Sequence, residues 1–177
     1  MSEKEKLYLY GALELRAEYD GRIKTFKDCL PETRQNRDRF AFTRGDDGRR
    51  RPSPDFDVTD VRKLLRKLEF KRRKLNSAIQ RANFNHHIEF GGVLINLNEA
   101  LEARKGLNEQ IGGLHTQVVN SAYQRVIYKE GRDIVEENEL SYTASGNDLE
   151  TDRLAFRELN RKLRKASFEI VVEFEDE

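Results

Sequence analysis

The sequence predicts a mainly α protein: long antiparallel helices in a coiled-coil-like bundle, with a small β appendage made of one hairpin and a C-terminal strand. Three observations carry this. Residues 57–82, DVTDVRKLLRKLEFKRRKLNSAIQRA, place Val58, Val61, Leu65, Leu68, Leu75, Ile79 and Ala82 at spacings of three, four and seven, with Arg72 at the missing step. The same kind of seam recurs in three other stretches, each preceded by a capping signal. Charged residues make up 37% of the chain and apolar residues 37%, which suits long helices that bury one narrow stripe and solvate the rest.

The first helix is expected over about residues 3–30. Ser2 and Glu5 form a capping-box pattern. Leu9, Ala12, Tyr19, Ile23, Phe26 and Leu30 hold the seam, with Arg16 at its remaining step. Pro31 ends it, because the residue before a proline is pushed out of the helical region. Residues 31–56 read as a long basic loop, broken by Gly45, Gly48, Pro52 and Pro54. The second helix is expected over 57–83, with Asp57 as N-cap.

In FNHHIEFGGVLI (84–95), two short apolar arms flank Gly91-Gly92, the pair that supplies the positive φ angles of a two-residue hairpin turn. A third helix is expected over 96–128, capped by Asn96 and Glu99, on a seam of Leu97, Ala100, Leu107, Ile111, Leu114, Val118 and Ser121. Gly112-Gly113 costs it roughly 2 kcal/mol of helix propensity and predicts a kink, a break or a close crossing. Gly131 breaks the helical pattern, and residues 139–143 read as a short strand. The fourth helix is expected over 147–166, capped by Asn147 and Glu150, with Leu149, Phe156, Leu159, Leu163 and Ala166 on one face. The tail alternates from Phe168 to Glu175 as a half-buried strand over 168–175, with the hairpin or the 139–143 segment as its expected partner.

Composition narrows the class. Lys and Arg number 33 against 32 Asp and Glu, so the formal net charge is only +1 and no global polyanion or polycation preference follows. One cysteine, Cys29, excludes an internal disulfide and fits a reducing compartment. No apolar run is long enough for a bilayer, and the charged opening MSEKEK is unlike a signal peptide. The expectation is a single cytoplasmic helical domain over 1–177.

Local charge is uneven. Arg62, Lys63, Arg66, Lys67, Lys71, Arg72, Arg73, Lys74 and Arg81 face only Asp60 and Glu69 within the second helix. With Arg49, Arg50 and Arg51 of the loop, Arg62, Arg66, Lys67, Arg73 and Lys74 are candidate phosphate contacts for an electrostatic nucleic-acid binder. The competing reading is a solvated face paired with Glu169, Glu173, Glu175, Asp176 and Glu177. Arg16, Arg72 and Arg104 occupy seam positions, where a charge is costly unless paired, and Asp152 is the seam acid available to them. His86, His87 and His115 lack metal-site spacing, and no catalytic motif or phosphate loop occurs. No catalytic residue, cofactor or metal is assigned.

ALELRAEYDGRI (12–23), LNSAIQRANFN (75–85), LNEALEARKGL (97–107) and LNRKLRKASFE (159–169) resemble a family of small bacterial helical proteins, some of which carry the name septicolysin. The resemblance implies long antiparallel helices and self-association, and supplies no active site. The chain departs from that family in its basic first loop and second helix and in its acidic, alternating tail. The function expected is therefore a non-enzymatic, self-associating scaffold or interaction protein, a homo-oligomer of two or more copies without membrane contact. Nucleic-acid binding is the alternative.

Overall fold

The structure, a computed structural model, describes residues 6–31 and 53–176. Their elements run α1 (Leu9–Cys29), α2 (Val58–Asn85), β1 (His87–Phe90), β2 (Val93–Asn96), α3 (Leu97–Ser121), β3 (Arg125–Lys129), β4 (Arg132–Glu136) and α4 (Tyr142–Glu169). The fold is mainly helical with two small antiparallel hairpins. The chain packs as two compact units, Met1–Ala82 with Phe168–Glu177, and Asn83–Ser167.

In the first unit the predicted seams are the core. Leu9, Ala12, Tyr19 and Ile23 of α1 and Leu65, Leu68, Leu75, Ala78, Ile79 and Ala82 of α2 are buried. Polar pairs flank them. Arg16 donates to Asn76 at 3.4 Å, Arg72 to Asp20 at 2.9 Å, and Lys27 pairs with Glu69 at 2.7 Å. Partner numbers fall on α2 as they rise on α1, so the two helices run antiparallel. Leu30, before Pro31, is extended and ends α1 as predicted. Asp57 caps α2 by accepting from the backbone N–H groups of Thr59 at 2.6 Å and Asp60 at 3.3 Å.

The start of α1 is corrected. The helix begins at Leu9, and Ser2 and Glu5 lie outside the described residues, as does most of the 31–56 loop. Leu7 and Tyr8 are held extended by the C-terminal tail. The Leu9 N–H donates to the Ile170 carbonyl and the Val172 N–H to the Leu7 carbonyl, both at 2.8 Å, around a single antiparallel bridge between Tyr8 and Val171. Burial alternates along the tail, with Ile170 and Val172 buried and Val171 and Glu173 exposed, but the strand expected over 168–175 does not form: Val171 makes only this one bridge, and the described β structure consists of the two hairpins. The tail's partner is the N-terminal segment, not the hairpin or residues 139–143. Phe168 and Glu169 belong to α4, because helix hydrogen bonding continues through them.

In the second unit β1 and β2 form the predicted hairpin, with Phe90 opposite Val93 and positive φ at Gly91 and Gly92. Asn96 and Glu99 make the full capping box of α3, each bond 3.0 Å. Two expectations about α3 fail. The helix passes through Gly112-Gly113 unbroken, and a Cβ at either glycine would meet nothing within 4 Å. It then stops at Ser121, and a second hairpin occupies 125–136, where the helix was expected to run on to about 128.

That hairpin turns on Glu130 (φ 54) and Gly131 (φ 81), both in the left-handed region that a two-residue turn needs. No strand forms at 139–143. Instead Ser141 caps α4, its Oγ accepting from the Ala144 N–H at 3.1 Å, so Asn147 lies inside the helix rather than at its start. Leu97, Ala100, Leu149, Leu159 and Ala166 are buried in this unit. Gln117 of α3 donates to Ser145 of α4 at 2.9 Å.

Candidate functional site

Two surfaces stand out: the outer face of α2 and the β3–β4 hairpin. On α2, 100° of rotation per residue places Lys63, Arg66, Lys67, Phe70, Arg73, Lys74 and Arg81 within about 60° of one direction. That direction is opposite the buried Leu68, Leu75 and Ile79. The cations are exposed. Phe70 is half exposed at their centre, with Lys74 Nζ 4.7 Å and Arg73 Cζ 6.0 Å from its ring centre.

The cations of α2 that pair with described carboxylates include one beside the ridge, Lys71, one in the seam, Arg72, and one in the first turn, Lys63. Lys71 pairs with Asp176 at 2.7 Å, Arg72 with Asp20 at 2.9 Å and Lys63 with Asp60 at 3.0 Å. Among the described residues, no carboxylate pairs with Arg66, Lys67, Arg73, Lys74 or Arg81. The predicted contacts Arg62, Arg66, Lys67, Arg73 and Lys74 thus share the exposed side of one helix. Arg49, Arg50 and Arg51 lie outside the described residues.

The acidic tail reaches the basic helix through Asp176. Its carboxylate is held below the ordinary aspartate range, first by the hydrogen bond from Lys71 and then by the nearby Tyr19 hydroxyl. Tyr19 is buried, and its hydroxyl lacks a well-aligned hydrogen bond. Burial first, and then the neighbouring Asp176 carboxylate, raise its phenol well above the usual range.

The seam charges resolve separately. Arg16 and Arg72 take Asn76 and Asp20, not the expected Asp152. Arg104 is exposed on α3. Asp152 is half buried, with Oδ2 shielded from water and without a hydrogen-bond partner.

The β3–β4 hairpin was invisible to the helical reading. Its signal was a short β-branched and aromatic run on each side of Glu130-Gly131, Val126-Ile127-Tyr128 before it and Ile134-Val135 after it. Directly opposed residues share a face, so Val126, Val135, Tyr128 and Asp133 line one side and Ile127, Ile134 and the charged pairs the other. Tyr128 is 74% exposed, Val126 57%, Val135 50% and Ile134 45%, so apolar side chains meet solvent on both faces. Tyr123, Leu140 and Tyr142 beside it are exposed as well. In this unit a groove of about 450 Å³ runs along Gly113, Thr116, Gln117, Asn120, Asn138 and Leu140, with Glu139 its one ionisable lining group.

Among the described residues, no group of three or more His, Cys, Asp or Glu is gathered as a metal ion requires. His86, His87 and His115 are exposed, as is Cys29. No described helix is long and apolar enough to cross a membrane. No protein family, curated protein or solved structure matches the chain.

Proposed function

We propose that this protein is a non-enzymatic helical scaffold that associates with copies of itself. The observation that supports this best is the exposed apolar surface around β3–β4. Large apolar side chains left exposed together in one short segment suit an interaction site, and a lone two-stranded hairpin is marginal in water until something covers a face. The half-buried seam of Leu107, Ile111, Leu114 and Val118 on α3 adds to it. The exposed Cys29 thiol agrees with a cytoplasmic setting. Sedimentation velocity across a micromolar dilution series is expected to give a dimer or larger species. A monomer at every concentration overturns the proposal.

A second reading rests on the α2 ridge. Cations that no described carboxylate pairs, in a row opposite a buried seam and with an aromatic ring among them, suit a phosphate backbone. Fluorescence anisotropy with duplex DNA and single-stranded RNA at low salt is expected to show binding that weakens steeply as salt rises. Arg66→Glu with Arg73→Glu is expected to abolish it. No binding at low salt dismisses this reading.

A further inference from the structure

We infer that β4 pairs with β4 of a second copy about a twofold axis through Ile134, making a four-stranded antiparallel sheet β3-β4-β4-β3. This rests on the self-association reading above and specifies its contact.

The register follows from hydrogen-bond parity and charge. Glu130-Gly131 is a two-residue turn, so the closing pair Lys129–Arg132 exchanges hydrogen bonds. Pairs then alternate: Ile127–Ile134 and Arg125–Glu136 are bonded, and Tyr128–Asp133 and Val126–Val135 are not. The backbone groups of Arg132, Ile134 and Glu136 are therefore spent on β3. Those of Asp133 and Val135 point to the open edge.

An antiparallel twofold partner must match outward groups to outward groups. That leaves registers centred on Asp133, Ile134 or Val135. The Asp133 register sets two aspartates against each other on the axis. The Val135 register sets Asp133 against the partner's Glu137, twice. The Ile134 register sets Arg132 against the partner's Glu136, twice, and Ile134 against its own copy. Asp133 and Val135 then exchange the outward hydrogen bonds.

Arg132–Glu136 falls at a non-bonded site, where facing side chains approach most closely. Opposite charges there favour the pairing and like charges oppose it. The β3 edge offers no such match, since its Ile127 register sets Arg125 against the partner's Lys129. An isologous contact of this kind closes on itself and ends at a dimer.

The test is a charge swap on the full chain, read by sedimentation equilibrium with far-UV circular dichroism. Arg132→Glu and Glu136→Arg are each expected to weaken the dimer by on the order of tenfold or more. An equimolar mixture of the two variants is expected to recover wild-type association, because their charges complement across the axis. Val135→Pro, which removes an outward N–H that β3 does not use, is expected to abolish pairing with helix content unchanged. A wild-type chain that stays monomeric overturns the self-association reading itself. A wild-type dimer that survives the single charge reversals, or single variants that fail to recover when mixed, overturns the Ile134-centred contact alone.

Discussion

Lys71 Nζ stands 2.7 Å from Asp176 Oδ1, closing a loop of 105 residues between the basic second helix and the acidic tail. The contact shows how a nearly neutral chain distributes its charge. The tail neutralises Lys71 beside the ridge and Asp20 neutralises Arg72 in the seam, while no described carboxylate pairs with Arg66, Lys67, Arg73, Lys74 or Arg81.

Asp176→Asn is expected to lower stability by at most about 1 kcal/mol at neutral pH, since the pair is partly exposed and screened. The pH dependence is more diagnostic. Lys71 and Tyr19 hold the folded carboxylate below its ordinary value of 3.8. The pair's contribution is therefore complete above that value and is lost as pH falls through the lower folded one. Urea midpoints between pH 2 and 6 are expected to drop less on acidification in the variant than in the wild type.

Tyr19 makes the mirror-image case at high pH. Its phenol is raised above the ordinary 10.0 by burial and by the Asp176 carboxylate, so the folded state retains a proton that the unfolded chain gives up. Stability is unaffected below pH 10.0 and falls as pH rises from there toward the folded value. Tyr19→Phe is expected to remove that alkaline loss. At neutral pH it costs little or stabilises slightly, because the hydroxyl it deletes is buried without a well-made bond. Melting temperatures at pH 7 and above 10.0 check both halves.

The seams were legible because burial repeats at helical spacing. Leu9, Ala12, Tyr19 and Ile23, and Leu65, Leu68, Leu75 and Ile79, are buried where the pattern placed them. Caps with a side-chain acceptor, Asp57 and Asn96, were equally plain. What the sequence concealed was decided by distant contacts or by unusual backbone. Leu7 and Tyr8 carry helical spacing but are drawn out by Ile170 and Val172, more than 160 residues on. Residues 125–136 lack the Asn-Gly or Asp-Gly turn that announces a hairpin, because a glutamate sits at the first turn position. Asn147 and Glu150 mimic a cap, yet Ser141, earlier in the chain, takes that role. The outward ridge of α2 was half legible: its residues were named, but only the fold shows which cations the tail and α1 neutralise.

Each unit has a core residue whose loss isolates its packing. Leu75 in the first unit and Leu159 in the second are fully buried. Leu75→Ala and Leu159→Ala are each expected to cost about 2–5 kcal/mol through lost transfer energy and a residual cavity. Hydrogen exchange is expected to report the loss chiefly in the unit that carries the change. Uniform loss across both units for either variant would mean that they unfold as one.

Glu130 holds φ 54 with a side chain that disfavours it. Asn adopts that backbone more readily and favours the two-residue turn. Glu130→Asn is expected to stabilise the β3–β4 hairpin by roughly 0.5–1 kcal/mol. Slower amide exchange at Tyr128 and Asp133, with the rest of the chain unaltered, checks it.

Gly112 and Gly113 were expected to mark a kink, a break or a close crossing in α3; the helix is unbroken through them, and a Cβ at either would meet nothing within 4 Å. Their conformational freedom then serves neither a turn nor a close crossing within this chain. It only adds entropy to the unfolded state. Gly112→Ala and Gly113→Ala are expected to stabilise the protein by about 1 kcal/mol each. The two effects are expected to add, since both methyl groups face solvent. Denaturant titration of the single and double variants decides the matter. A loss of stability, or a loss of association without one, would locate a close-packed partner on this stretch of α3.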